Sequence, residues 1–369
     1  MKKIFWLAGE NSGDLHAADV MEYLHKYGFF HFGIGGPKMK KAGLEQLFAF
    51  ERFAVMGFWE VLKHLRFFAM VKNKIEAIFQ NTDSKPDLLV LVDYPGLNMR
   101  VAKIAKKNDI PVLYYISPQF WAWKQKRIHQ LKKYTDHIAY ILPLEKQYFD
   151  KYDIPSTYVG HPIAEQVQIR LNKEEFAYQF GLDLTKKWLG FFPGSRVNEI
   201  EKLLPEFKKA IKQFSTEKYE FIISRAHSLP KNIFPEDSKI KFIGDYNYEI
   251  MQHCDFMVVK SGTSSLETAY IGTPFVIVYK TSFISYFLGK HLVKIDKIGL
   301  PNIMMQKKIV PELIQTEAEG KNIAVWIKRY LNSPSKYNEL KKSLREIHQV
   351  MEKRSASQAT AKIIKKMLT

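Results

Sequence analysis

The stretch Lys85-Pro86-Asp87-Leu88-Leu89-Val90-Leu91-Val92-Asp93-Tyr94-Pro95-Gly96-Leu97-Asn98 decides the fold. The run Leu88–Val92 is apolar throughout and too short for a helix, the signature of a strand buried on both faces. Pro86 marks the entry from a loop, because proline disfavours helix in the residue before it. A helical pattern, Leu97–Lys107, follows. Strands fed by helices pair in parallel through right-handed crossovers.

Working outward, the same alternation recurs. Buried strands are predicted at Ile4–Ala8, His31–Ile34, Val112–Ile116 and His137–Ile141, with helices at Leu15–Lys26 and Phe58–Phe79. Beyond Gly160-His161-Pro162 come strands at Leu189–Phe192, Glu220–Ser224, Lys241–Ile243, Phe256–Val259 and Phe275–Tyr279. Helices are expected at Asn198–Phe214, Ser264–Ile271 and Ser282–Val293. Two successive doubly wound α/β domains follow, 1–165 and 166–345, joined near Ala164–Lys173. A helix over 346–369 is expected to pack back toward the first domain. Ligands in such sheets sit beyond the carboxyl ends of the strands, so the expected site is a cleft between two facing sheets.

The 369 residues contain one cysteine, Cys254, which excludes an internal disulfide and a thiolate metal cage. The apolar start Ile4–Gly9 stops at Glu10, too short for a signal core, and no run approaches the roughly 20 apolar residues of a membrane span. A cytoplasmic protein is expected. The net charge of +18 points to an anionic partner: nucleic acid, a membrane surface or a phosphorylated substrate.

The residues just after strands carry the chemistry. Gly194-Ser195-Arg196 follows one strand and opens a helix, offering backbone N–H groups and a forked cation to a diphosphate. A plain turn with a solvated arginine is the structural alternative. Ser261-Gly262-Thr263 repeats the arrangement, with Glu267 about one turn further on to accept bonds from ribose hydroxyls, although simple N-capping also suits it. Asp93 ends the strongest strand, as a general base or as an Asx turn before proline. In Gly9-Glu10-Asn11-Ser12-Gly13-Asp14 the acidic residues suit hydroxyls, and the missing G-x-G-x-x-G argues against a dinucleotide cofactor. His16, His161 and His291 form no zinc motif, and no D-x-D or Walker A sequence occurs. No metal and no cofactor are therefore expected. Two stretches, Phe58–Phe68 and Phe283–Lys294, interleave aromatics with cations, as in an interfacial helix or an ordinary core-facing one. Phe58, Leu62, Leu65, Phe67, Phe68, Phe283 and Phe287 are the candidate membrane contacts.

Together these motifs resemble the lipid A disaccharide synthase family of inverting glycosyltransferases. The resemblance rests on Gly9–Asp14, Gly36-Pro37-Lys38-Met39, Ala54-Val55-Met56-Gly57 with Glu60-Val61, Ser117-Pro118-Gln119-Phe120-Trp121-Ala122-Trp123 and Gly160-His161-Pro162. It continues through Pro193–Arg196 with Glu199, Ser261–Thr263 with Leu266-Glu267, Leu300-Pro301-Asn302 and Glu312–Gln315. After Asp93 the family usually continues Ala/Tyr-Pro-Asp-Phe-Asn, with a second aspartate directly after the proline, where this chain has Gly96. The resemblance implies the GT-B fold of two Rossmann-like domains. It also implies UDP-2,3-diacylglucosamine as donor and 2,3-diacylglucosamine 1-phosphate (lipid X) as acceptor, at the inner face of the inner membrane of a Gram-negative bacterium. Asp93 would be the base. Gly194, Ser195, Arg196, Ser261, Gly262, Thr263, Glu267 and Asn302 would hold UDP, and Glu10, Ser12 and Asp14 would face the acceptor. The partners would be these substrates and an anionic membrane surface, with no nucleic acid. Other GT-B enzymes of UDP-sugars and a non-enzymatic basic binding protein are the competing readings.

Overall fold

The computed structural model describes residues 1–369 apart from 51, 52, 54–64, 119, 124, 125, 227, 228, 236, 282–296, 352 and 353. The chain divides into two compact units: Met1–Ala164 with Lys353–Thr369, and Glu165–Glu352.

The first unit is a seven-stranded sheet of β1 (Lys3–Ala8), β2 (Phe30–Ile34), β3 (Glu45–Gln46), β4 (Leu88–Val92), β5 (Val112–Tyr115), β6 (His137–Tyr140) and β7 (Ser156–Tyr158). Its order is β3-β2-β1-β4-β5-β6-β7, and every pairing is parallel. Leu88–Val92 is wholly buried, as its unbroken apolar run requires. One buried polar group on β1 is matched within the sheet: the Trp6 indole N–H donates to His31 Nδ1 at 3.0 Å. Burial lowers the pKa of that imidazole to about 4, with repulsion from His25 adding to it, so it stays neutral and can accept. The helices α1 (Asn11–Leu24), α2 (Leu65–Gln80) and α3 (Pro95–Lys107) connect the strands. The helix Ala356–Leu368 joins this unit, burying Ala361 and Ile364 in the same cluster as Ile4 and Trp6.

The second unit holds β8 (Lys187–Phe192), β9 (Tyr219–Ser224), β10 (Ile240–Ile243), β11 (Phe256–Lys260), β12 (Phe275–Tyr279) and β13 (Glu312–Ile314), in the order β10-β9-β8-β11-β12-β13. All its pairings are also parallel. The helix α4 (Val197–Ile211) follows β8, and α5 (Thr263–Ile271) follows β11. Each sheet therefore reverses its strand order once, at β1/β4 in the first unit and at β8/β11 in the second. Helices leave the two strands of such a pair in opposite directions, which opens a crevice at their carboxyl ends.

The expected interfacial helices need correction where they are described. Phe58, Leu62, Phe283 and Phe287, with the predicted helix Ser282–Val293, lie outside the described residues. Leu65 opens α2, and its side chain also lies outside them. Phe67 is 8% exposed, its ring centroid 5.2 Å from that of Phe53. It shares a buried face with Val71, Ile75 and Phe79, at the four-residue spacing of one helix side. Phe67 is thus a core residue and no membrane contact, and Phe68 is half-buried beside it, 5.7 Å between ring centroids. Phe67→Ser should lower the stability measured by urea denaturation by roughly 3–5 kcal/mol, the cost of truncating a core phenylalanine. Unchanged stability would return Phe67 to the surface.

Candidate active site

At the first switch point, Ala8 of β1 lies in register with Val92 of β4, so the residues that follow them meet. Asp93 and Tyr94 both adopt left-handed backbone, with φ of 47° and 42°. Such conformations are costly for residues other than glycine and need bracing. Asn98, fully buried on the first turn of α3, supplies it: its Nδ2 donates to the Val92 carbonyl at 3.2 Å and to the Asp93 carbonyl at 2.5 Å. The Tyr114 hydroxyl donates to the same Asp93 carbonyl at 2.7 Å. On the other side, a Cβ at Gly9 would fall 2.6 Å from the Tyr94 ring, so only glycine lets that ring lie across the end of β1.

Bracing the backbone carbonyl leaves the Asp93 carboxyl to its surroundings. Burial, reinforced by the charge of Glu10 and opposed by the Tyr94 N–H, lifts its pKa from 3.8 to about 6. A carboxylate in that range is ionised at neutral pH and basic enough to accept a proton. Glu10 is the exposed N-cap residue of α1 and Ser12 is exposed in its first turn, so the expected loop is largely helix. Asp14 has another task. It is 2% exposed and accepts from the N–H groups of Gly36, Lys38 and Met39 at 2.8, 3.1 and 3.0 Å. Its carboxylate is spent on the start of the helix Pro37–Lys41, so its assignment to the acceptor is corrected.

Next to β4, the end of β5 carries a third strained residue. Ile116 has φ 61°, and Ser117 after it donates from Oγ to Glu145 Oε1 at 2.6 Å. Leu142 N–H donates to the other oxygen at 3.3 Å. Burial pushes the Glu145 carboxyl up to about 7 against these hydrogen bonds. Glu145 thereby ties Ser117, just after β5, to the loop after β6. Sequence reading missed it, because nothing near Glu145 marks a partner 28 residues away.

The second switch point is cationic. Val259 of β11 lies in register with Phe192 of β8, and beyond both opens a cavity of about 280 Å³. Gly194, Ser195 and Arg196 line it from one strand end, and Lys260, Gly262 and Thr263 from the other. A second cavity of about 600 Å³ shares Ala226 and Asn247 with it and reaches Arg225, Tyr248 and Glu267. Burial raises the pKa of the Glu267 carboxyl, and the Tyr248 hydroxyl donates to it at 3.3 Å. Two expected contacts point elsewhere. Ser261 donates from Oγ to the Ile298 carbonyl at 2.7 Å, so its hydroxyl serves a loop. Asn302 is fully buried, with Nδ2 bonded to the Val310 carbonyl and Glu312, and Oδ1 to the N–H groups of Ile309 and Val310. Its polar atoms are engaged within the protein, which corrects its assignment to the nucleotide. Lys260, Asn247 and Tyr248 were missed. Lys260 precedes Ser261-Gly262 directly and reads as the tail of an apolar strand.

The family model described as lipid-A-disaccharide synthetase matches residues 4–366. The chain belongs to this family. The lipid-A-disaccharide synthase of Trichlorobacter lovleyi is 40% identical over 346 residues, covering 91% of this chain and 90% of that protein. That of Persephonella marina is 36% identical over 382 residues, covering 100% and 99%. The chain is accordingly a glycosyltransferase of lipid A disaccharide synthesis. Among solved structures, the UDP-GlcNAc 2-epimerase of Neisseria meningitidis superimposes with a TM-score of 0.66 at 13% identity, covering 99% of this chain and 100% of that one. The calicheamicin glycosyltransferase CalG4 does so at 0.65 and 15%, covering 100% and 98%. At such identities these likenesses show the fold alone, and it is the two-Rossmann glycosyltransferase fold expected from the sequence.

The bracing at the first switch point has a direct check. Asn98→Ala removes both donors while leaving the Tyr114 bond, and should lower stability in urea denaturation by about 1–3 kcal/mol. No change would show that Tyr114 alone suffices.

Proposed function

We propose that the first switch point activates the acceptor and the second holds the donor nucleotide. One observation supports this division above the rest: a carboxylate with a raised pKa stands at one switch point, and cations with helix N-termini stand at the other. The donor is UDP-2,3-diacylglucosamine and the acceptor 2,3-diacylglucosamine 1-phosphate. Asp93 takes the proton of the acceptor's 6-hydroxyl as that oxygen bonds to the donor's anomeric carbon. The bond from that carbon to the β-phosphate oxygen breaks through an oxocarbenium-like state, and UDP leaves with inversion. Arg196 and the N-termini of α4 and α5 meet the charge that develops on UDP, while Glu267 accepts from the ribose. Gly194, Gly262 and Thr263 let the backbone approach the phosphates. Glu10 and Ser12 face the acceptor side, where Glu10 also helps keep the Asp93 pKa high.

Both substrates are acylated and anionic, so the work belongs at an anionic membrane surface, the inner face of the inner membrane. The net charge of +18 supports this. Among the described residues no helix is long and apolar enough to cross a membrane. Phe58, Leu62, Phe283 and Phe287 are the proposed contacts, with cations beside them in sequence.

UDP release is expected only when both acylated sugars are supplied; release with donor alone would mean hydrolysis. Asp93→Asn should bind UDP normally and lose about 10²- to 10⁴-fold in kcat. In the parent, the rate should rise with pH through about 6 as the carboxyl ionises. The stability should move the opposite way. The folded state holds the Asp93 proton more tightly than the unfolded chain, so this contribution is lost as pH rises from about 4 to about 6. Asp93→Asn should remove that decline from the melting temperature. Near-normal turnover in Asp93→Asn would leave Asp93 a turn residue only.

A further inference from the structure

In the cavity at the second switch point, the groups suited to a phosphate are already engaged by a side chain. Glu199, three residues into α4, reaches back over the loop. Its Oε2 accepts from the N–H of Ser195 at 3.1 Å and of Arg196 at 3.4 Å. Its Oε1 lies 2.8 Å from Lys260 Nζ. Both side chains are sheltered, 18% and 21% exposed, and both line the cavity. Gly194, with φ 111°, makes room for the carboxylate, since a Cβ there would overlap it. One carboxylate thus spans two amides and an ammonium, a donor set that equally suits two oxygens of a phosphate.

We propose that Lys260 is a second cation for the donor's diphosphate, and that Glu199 occupies its place until the diphosphate arrives. The inference rests on the reading of this cavity as the nucleotide site. Among the described residues, the charged ones lining the cavity are Arg196, Lys260 and Glu199. While Glu199 stays on Lys260, one of the two cations is neutralised and a carboxylate faces any incoming anion. A diphosphate carries enough charge to take over both the ammonium and the two amides, and Glu199 then turns out to solvent. Uridine has nothing to offer these groups and leaves the pair intact. The arrangement selects for the charged end of the donor, and it releases the amides and Lys260 together.

Isothermal titration of the full-length protein with UDP, uridine and inorganic pyrophosphate tests this. Lys260→Met should weaken UDP about 10-fold or more, the range of one charge-assisted contact, and leave uridine unchanged. Glu199→Gln keeps an oxygen for the two amides and loses the charge on Lys260. It should bind UDP and pyrophosphate several-fold tighter than the parent. Melting temperatures confirm that each variant is folded, and Lys260→Gln replaces Lys260→Met if the latter is not. If Glu199→Gln weakens UDP as much as Lys260→Met does, Glu199 is a brace for the loop and the exchange is wrong. If Lys260→Met binds UDP like the parent, Lys260 only neutralises Glu199. A parent that fails to bind UDP at all would instead overturn the assignment of the cavity.

Discussion

A parallel strand buried on both faces has no surface along its length, so its polar chemistry can appear only at its ends. This constraint organises both units. Leu88–Val92 and Phe256–Val259 are buried throughout, and the first residues free to be polar are Asp93 and Lys260. Where neighbouring strands send their helices in opposite directions, these residues stand at the mouth of a crevice. The first crevice is acidic and the second basic, a difference made by a few residues in each.

The cost of putting function there is visible in the backbone. Asp93, Tyr94 and Ile116 all take left-handed conformations at the ends of β4 and β5. Each is held by something buried: Asn98 and Tyr114 for the first turn, and Glu145 through Ser117 for the loop that follows Ile116. The strain is local, and the bracing holds the turn by the Asp93 carbonyl; the Tyr94 N–H bonds the carboxyl and only partly offsets the burial that raises its pKa. In the second unit the comparable device is electrostatic. Glu199 satisfies amides and an ammonium that would otherwise crowd positive charge into a small cavity.

The inner strands were legible because an unbroken apolar run has one good explanation in a parallel sheet. The edges were not. β3, β7 and β13 are only two or three residues long, too short for any periodicity to register. The site was legible in the same uneven way. Asp93 and Gly194–Arg196 follow strong strands, and the chain places them at the switch points. Asp14, Ser261 and Asn302 lie in equally suggestive motifs, yet their polar atoms are taken by groups distant in sequence or across a loop. Residue type announces a hydrogen-bonding capacity and says nothing of the partner that will use it. Phe67 shows the same limit for apolar residues, since a helix edged by cations can bury its aromatics in the protein as readily as in a lipid surface.

The claim that the second switch point holds the donor nucleotide is tested most directly by amide hydrogen exchange with and without saturating UDP. Protection is predicted in residues 194–199 and 262–267, at the two strand ends of the second unit. The short buried helix Leu300–Met304, where the bonds of Asn302 are already complete, should not change. Protection confined to other segments, or centred on residue 302, would contradict the account.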